Sequence, residues 1–330
     1  MGGSISMSYA ELRCRSCFSF LEGASHPEEL ITRASEIGLS ALALTDRHGL
    51  YGLVRAHVEA VTLPGFRLLV GCELPLAWNA DHRVDLTFLA TSLDGYARLC
   101  RLITASHVDQ PKGQSLLPRS ALEALAGPGL YVLHDDPRED LNSDLGALFP
   151  DHLALWVARH HVAGEEDRIA LLRAAGIRRR LPVIVTNDVH AHVRARQPLL
   201  DVLTCTRLGT TVQEAGRKLA PNAERILKSA EEMAALWPDF PEGLERTVEI
   251  ADRCTFTLAE AICDHPLPSL GTGETPLQQL VRLIGEGAPI RYPSGVPENV
   301  RAQIAHELRL IEKLDYASYF LTVWDIVRFA

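Results

Sequence analysis

The chain has 330 residues, 47% of them hydrophobic and 23% charged, and a formal net charge of −9. That length supports one large core, or one core and part of another, and the acidic balance excludes binding to nucleic acid by bulk charge, leaving room only for a local basic patch. No run is apolar enough to span a membrane, and residues 1–6 lack the apolar centre of a signal peptide; ordered-looking sequence begins after Met7, and residues 1–7 read as a disordered N-terminus.

Seven scattered cysteines, an odd number, fit free thiols in a reducing cytoplasm. Residues 11–17 read as a strand. Ser25-His26-Pro27-Glu28 reads as a capping box with an early helical proline, and Gly38 closes the helix that follows. Strands are expected at 41–44, 67–70, 84–90, 130–133, 153–157 and 181–185, with helices at 94–106 and 165–175. Strand-then-helix order implies an α/β fold with a parallel sheet, closed into a barrel to about residue 194. The chain then turns helical. Ser229-Ala230-Glu231-Glu232 is a second capping box, and helical periodicity runs through 242–254, 275–286 and 298–314. The stretch 264–297 is rich in Pro and Gly and reads as a linker. The last residues lie within an apolar helical pattern without a cap, which reads as a truncation. The expected division is therefore 8–263 for the first domain and 264–330 for a linker and the start of a second.

Polar residues gather after the strands, where α/β folds place their sites. They are Arg13 and Arg15; Glu22; Asp46, Arg47 and His48; Glu73; His134 or, less favoured, His107; and Asp188 with His190. In Thr186-Asn187-Asp188-Val189-His190 the Asp and His are two positions apart after a strand. They point to one side and suit two metal ligands, or a polar pair capping the strand.

This order of motifs resembles the polymerase-and-histidinol-phosphatase (PHP) domain, a barrel whose intact members hold a metal cluster through His-x-His, Thr-Asp-His, Gly-x-Glu and Asp-x-His. The resemblance runs over residues 8–330 and extends to bacterial C-family DNA polymerases. It is carried by Ser19-Phe20-Leu21-Glu22-Gly23-Ala24, by Thr45-Asp46, by Thr186-Asn187-Asp188-Val189-His190 and by Tyr319-Phe320-Leu321-Thr322-Val323-Trp324 near the palm. Leu219-Ala220-Pro221-Asn222-Ala223-Glu224-Arg225 and Leu227-Lys228-Ser229-Ala230-Glu231-Glu232-Met233 are most similar to the error-prone branch.

Several motif positions depart from the family. Arg13, Arg15 and Arg47 stand where it has histidines, whereas Glu73, Asp188 and His190 match. An arginine is always protonated and offers no lone pair to a metal. The expectation is a degenerate site without its Zn2+ or Mn2+ cluster and without phosphoesterase or nuclease activity. Glu73, Asp188 and His190 would be the residual ligands of a weak single-metal site. The arginines would supply the missing positive charge and pair with Glu22, Asp46, Glu73 and Asp188; binding phosphate or DNA backbone is the rival role.

The resemblance implies an error-prone DNA polymerase acting in translesion synthesis and DNA repair. Its partners would be primer-template DNA, deoxynucleoside triphosphates, the sliding clamp and accessory mutagenesis proteins, with Mg2+ in the polymerase core. After Tyr319 the chain offers only Asp325 among carboxylates, so this stretch alone is not expected to polymerise. The alternatives are a fragment of a replicative polymerase III alpha subunit, a free-standing PHP phosphoesterase, and a non-enzymatic interaction module. Three weaker signals read as structural. Cys14-x-x-Cys17 has no second pair to make a zinc site. His160 and His161 read as surface histidines, and Arg178-Arg179-Arg180 as a solvated helix end.

Overall fold

The computed structural model describes residues 8–261 and 273–329, and the chain divides into two compact units at residues 261/262. In the first unit the strands are β1 (Glu11–Cys14), β2 (Ala41–Leu44), β3 (Arg67–Asn79), β4 (His82–Ala90), β5 (Leu117–Pro118), β6 (Leu130–His134), β7 (Leu153–Val157) and β8 (Val183–Val185). Between and after them lie α1 (Pro27–Glu36), α2 (Leu53–Ala60), α3 (Leu93–His107), α4 (Arg119–Leu125), α5 (Glu139–Leu148), α6 (Glu165–Arg179), α7 (Gln197–Leu208), α8 (Val212–Ala215), α9 (Ala230–Leu236) and α10 (Pro241–Arg253).

The strands form one sheet in the order β1-β2-β3-β4-β6-β7-β8, with β5 beside β3. The sheet curls until its ends meet. Val189, just past β8, donates to Arg13 O at 2.9 Å, and its carbonyl accepts from Arg15 N at 2.8 Å. The α/β barrel expected from the sequence is therefore present, with one difference. β4 runs antiparallel to both β3 and β6. Only two residues separate β3 from β4, and so short a connection can only reverse the chain; a parallel partner needs a crossover.

Side-chain alternation sorts the sheet into two faces. Ala41, Ala43, Leu69, Leu89, Leu133, Ala154 and Ile184 pack with Ile250 and Ala251 of α10 as the barrel's inner core. Their strand neighbours Leu42, Leu44, Leu155, Val157, Val183 and Val185 face outward onto Leu30, Ile31 and Ala34 of α1 and Ile169 and Leu172 of α6. A register shift within β1 breaks the alternation there. The α1 cap sits one residue later than the sequence suggests: His26 is the N-cap, and its N–H donates to Glu29 Oε2 at 2.8 Å. Ser25 Oγ is drawn instead to His192 N, at 2.8 Å. The second box forms as read, Ser229 Oγ accepting from Glu232 N at 3.2 Å. The helices α2, α4 and α5 were not read from the sequence.

The second unit contains α11 (Pro276–Arg291), α12 (Glu298–Lys313) and α13 (Ala317–Phe329), packed around Leu280, Ile311, Ala317 and Leu321. Thr275 caps α11, accepting from Gln278 N at 3.3 Å. Thus the stretch read as a linker is helical from residue 276 to 291, while its first part, with the expected 263/264 boundary and Cys263, lies outside the described residues, as do residues 1–7.

Candidate functional site

The inner face that carries the apolar core continues toward one end of the barrel into a polar cluster, with Glu73 inside β3 rather than after a strand ending at residue 70. Two or four residues beyond Ala43, Leu69, Ala154 and Ile184, on the same alternation, come Arg47, Glu73, Trp156 and Asp188. Asp85 precedes Leu89 by four on the antiparallel β4. These residues meet Arg13, within the β1 register shift, and Arg15, after it, at the mouth of the barrel.

Glu73 is the hub and is 1% exposed. Arg15 Nη2 donates to both of its oxygens, at 2.7 and 2.8 Å. Arg13 Nη2 donates to Oε2, and Arg47 Nε lies 3.2 Å from Oε1. Burial by itself would raise the Glu73 pKa, but the charges of Arg15, Arg13 and Arg47 outweigh it and hold it at about 2. Arg13 is itself buried, stacks 3.9 Å over the Trp156 ring and lies 3.3 Å from Asp188 Oδ1. Arg47 also reaches Glu22 at 3.3 Å and Asp85 at 3.2 Å, and Arg15 reaches Glu22 at 3.3 Å.

Asp188 sits in the left-handed region, φ 44°, unusual for a residue with a side chain. Its N–H donates to Thr186 Oγ1 at 3.1 Å, and Arg225 Nη1 clasps Oδ2. Burial opposes its charge, yet Arg13, Arg225 and Arg15 together pull its pKa well below the usual range. His190 Nε2 lies 3.1 Å from Arg15 Nη1. A guanidinium can only donate, so this nitrogen accepts and the imidazole is neutral. Burial first, and then the charge of Arg15, depress the His190 pKa to match. Its 3.7 Å separation from Asp188 is therefore not an ion pair.

Four guanidinium groups (Arg13, Arg15, Arg47, Arg225) thus interleave with four carboxylates (Glu22, Glu73, Asp85, Asp188). The donor atoms that a divalent cation would take from Glu73, Asp188 and His190 already hold guanidinium. Among the described residues no three His, Cys, Asp or Glu side chains are placed to share a metal. The residues present therefore do not fit the metal cluster of intact PHP domains, although the structure does bring Glu73, Asp188 and His190 together as the sequence suggested.

Three expected site residues fall elsewhere, and alternation explains why. Asp46 shares the parity of Leu42 and Leu44. It accepts from Ser16 N, Ser16 Oγ and Ser19 Oγ, each at 2.7 Å, so its expected pairing with arginine does not form. Burial raises its pKa despite those bonds. His48, at φ 66°, turns away; its carbonyl accepts from His107 Nε2 at 2.8 Å. His134 follows Leu133 by one residue and so faces the opposite way, fully buried, its pKa pushed down to about 4 by burial. Neither it nor His48 lines the cleft.

His160 is not a surface histidine. It is 5% exposed, its Nε2 meets Asn187 O at 2.9 Å, and Glu165 Oε1 lies 3.3 Å from Nδ1. His161 and Arg178–Arg180 are exposed as read, with Arg178 3.1 Å from Glu139. The described cysteines are free, and β1 ends at Cys14, leaving Cys17 beyond it.

Sequence reasoning did not place Asp85, Trp156 or Arg225 in the site. The only signal for Arg225 was its segment. Residues 219–226 cross the cleft as a strap held by Asn187, whose Nδ2 donates to the carbonyls of Glu224 and Ile226 at 2.6 Å, and by Asn222 Nδ2 to His160 O at 2.6 Å. The cleft beneath has a volume of about 680 Å3.

Residues 11–169 match the PHP domain, and residues 278–330 match the bacterial DNA polymerase III alpha NTPase domain. The chain is similar to the error-prone DNA polymerase of Anaeromyxobacter dehalogenans strain 2CP-C, 44% identical, with 98% of this chain and 36% of that protein covered. It is similar to the error-prone DNA polymerase of Dechloromonas aromatica strain RCB, 44% identical, with 98% and 31% covered. The chain thus spans about a third of the length of these relatives. Among solved structures it is similar to an amidohydrolase of Chromobacterium violaceum, with a TM-score of 0.41, 16% identity, and 56% of this chain and 88% of that one covered.

Proposed function

Since the chain carries a PHP domain and, after it, a stretch of the bacterial DNA polymerase III alpha NTPase domain, we propose that it is the N-terminal region of an error-prone DNA polymerase. The whole protein would transfer nucleotides from deoxynucleoside triphosphates to primer-template DNA, in translesion synthesis and DNA repair, in the cytoplasm. The sliding clamp and accessory mutagenesis proteins would be its partners. Mg2+ would serve a polymerase core outside this stretch, where it would supply neutralisation of developing negative charge. The residues present here include no closely paired carboxylates after Tyr319, which supports a chain that does not polymerise by itself.

Within that protein the PHP domain is structural. The observation that carries this reading is the clasp on Glu73: a carboxylate 1% exposed, with three arginines on its two oxygens. Guanidinium groups do the charge-balancing that Zn2+ or Mn2+ does in an intact PHP site, and they activate no water. The purified chain is expected to leave a chromogenic phosphodiester intact with manganese added. Hydrolysis that is lost in Asp188→Asn would reverse the reading in favour of a phosphoesterase. Primer extension by the full-length protein tests the polymerase assignment, and a full-length product that extends nothing refutes it.

A further inference from the structure

Charge is unevenly spread along this chain. The whole carries −9, yet residues 194–228 hold seven Arg and Lys against three acids. Most of these cations are occupied. Arg194 and Lys228 pair with Glu224 at 2.8 and 3.1 Å, Arg196 pairs with Glu29, and Arg225 holds Asp188.

Three are not. Arg207 in the last turn of α7, and Arg217 and Lys218 in the turn Gly216–Lys218, are exposed and have no ion-pair partner among the described residues. Arg207 and Lys218 both line the mouth of the 680 Å3 cleft. Deeper in the same cleft Arg13, 4% exposed, keeps Nε and Nη1 without an acceptor. The other two acids of this stretch, Asp201 and Glu214, accept from Gln197 Nε2 at 2.7 Å and Thr211 Oγ1 at 3.0 Å. They neutralise none of the three cations directly, and they keep the local field modest.

We propose that Arg207, Arg217 and Lys218 form a contact surface for the sugar–phosphate backbone of DNA, on the rim of the barrel and separate from the arginine cluster inside it. Free, flexible cations on an exposed rim suit phosphate oxygens and carry no base information, so the contact is independent of sequence. Its strength comes from counterion release and is therefore steep in salt. This inference rests on the reading that the whole protein works on DNA.

The test is fluorescence anisotropy of a labelled duplex with a single-stranded overhang, titrated with the 330-residue chain in chelator at several salt concentrations. Three phosphate contacts at roughly 0.9 each predict that the slope of log affinity against log salt flattens by about 2.7 in Arg207→Ala/Arg217→Ala/Lys218→Ala. Between about 50 and 200 mM salt that component is worth about 40-fold in affinity. The variant should melt as the parent does, since all three side chains are exposed. Arg83→Ala/Arg101→Ala removes two other cations without an ion-pair partner and should keep the parental slope. No binding by the parent at low salt, an unchanged slope in the triple variant, or an equal change in the Arg83/Arg101 control overturns the inference. Primer extension by the full-length protein stands apart from all three outcomes, so a failed rim and a failed polymerase assignment give different results.

Discussion

Replacing Glu73 by glutamine keeps its shape and removes its charge from beneath Arg13, Arg15 and Arg47. Two routes give the expected cost. The first is linkage. The Glu73 pKa falls from 4.5 to about 2 on folding, and at about 1.4 kcal/mol per pH unit that gap amounts to about 3 kcal/mol of stability. The second is the general cost of leaving one side of a buried ion pair uncompensated, about 3–5 kcal/mol. The two agree, so Glu73→Gln should lose about 3–5 kcal/mol at neutral pH. The pH dependence gives a sharper signature. A depressed folded pKa means that the stabilisation is complete above 4.5 and is lost as pH falls toward 2. The gap between parent and variant should therefore narrow as the solution is acidified from pH 4.5 toward 2. Urea unfolding followed by circular dichroism, at matched salt across that range, reads both quantities. A variant within about 0.5 kcal/mol of the parent at pH 7, or a gap that widens on acidification, would refute the account of Glu73 as the charge hub.

Arg225→Ala should free the strap over the cleft at a cost of about 1.5–3 kcal/mol, the worth of a hydrogen bond to a charged group; limited proteolysis should then cut within residues 219–226, and an unchanged digestion pattern would count against the clasp. Removing metal should do nothing: the melting temperature in chelator should match that in manganese, and a rise of more than about 4 °C with manganese, equivalent to roughly 2–3 kcal/mol in a chain of this size, would mean that a cation does bind. His190 should stay neutral below the ordinary histidine range, because burial and Arg15 depress its pKa; nitrogen-15 NMR should find Nε2 unprotonated as the pH falls through the usual value of about 6.5, and titration there would contradict the donor-only contact from Arg15.

Local features of this protein are legible in the sequence: short apolar runs that become strands, the Ser229 cap, the order of polar residues toward one end of the strands, and the arginines in place of histidines. Those features depend on periodicity and side-chain chemistry that a few neighbouring residues carry. It also foresaw that the arginines would meet Glu22, Glu73 and Asp188, because charges gathered at strand ends on one side of a barrel must neutralise each other. Which carboxylate each arginine takes was decided only by the tertiary structure. Asp46 lies next to Arg47 in the chain and is bound by serines 27 and 30 positions away. Arg15 finds Glu73 at a separation of 58 residues, and Arg225 finds Asp188 at 37. Trp156 and Asp85 gave no local signal. Their places follow from the inner face of a curled sheet, and from the reversed direction of β4, which turns Asp85 toward the mouth that the parallel strands reach with their C-terminal ends. His48 and His134 sit at promising positions in the chain but carry the wrong parity. A single step along a strand moves a side chain to the other side of the sheet, and which side lines the cleft is settled only when the sheet curls.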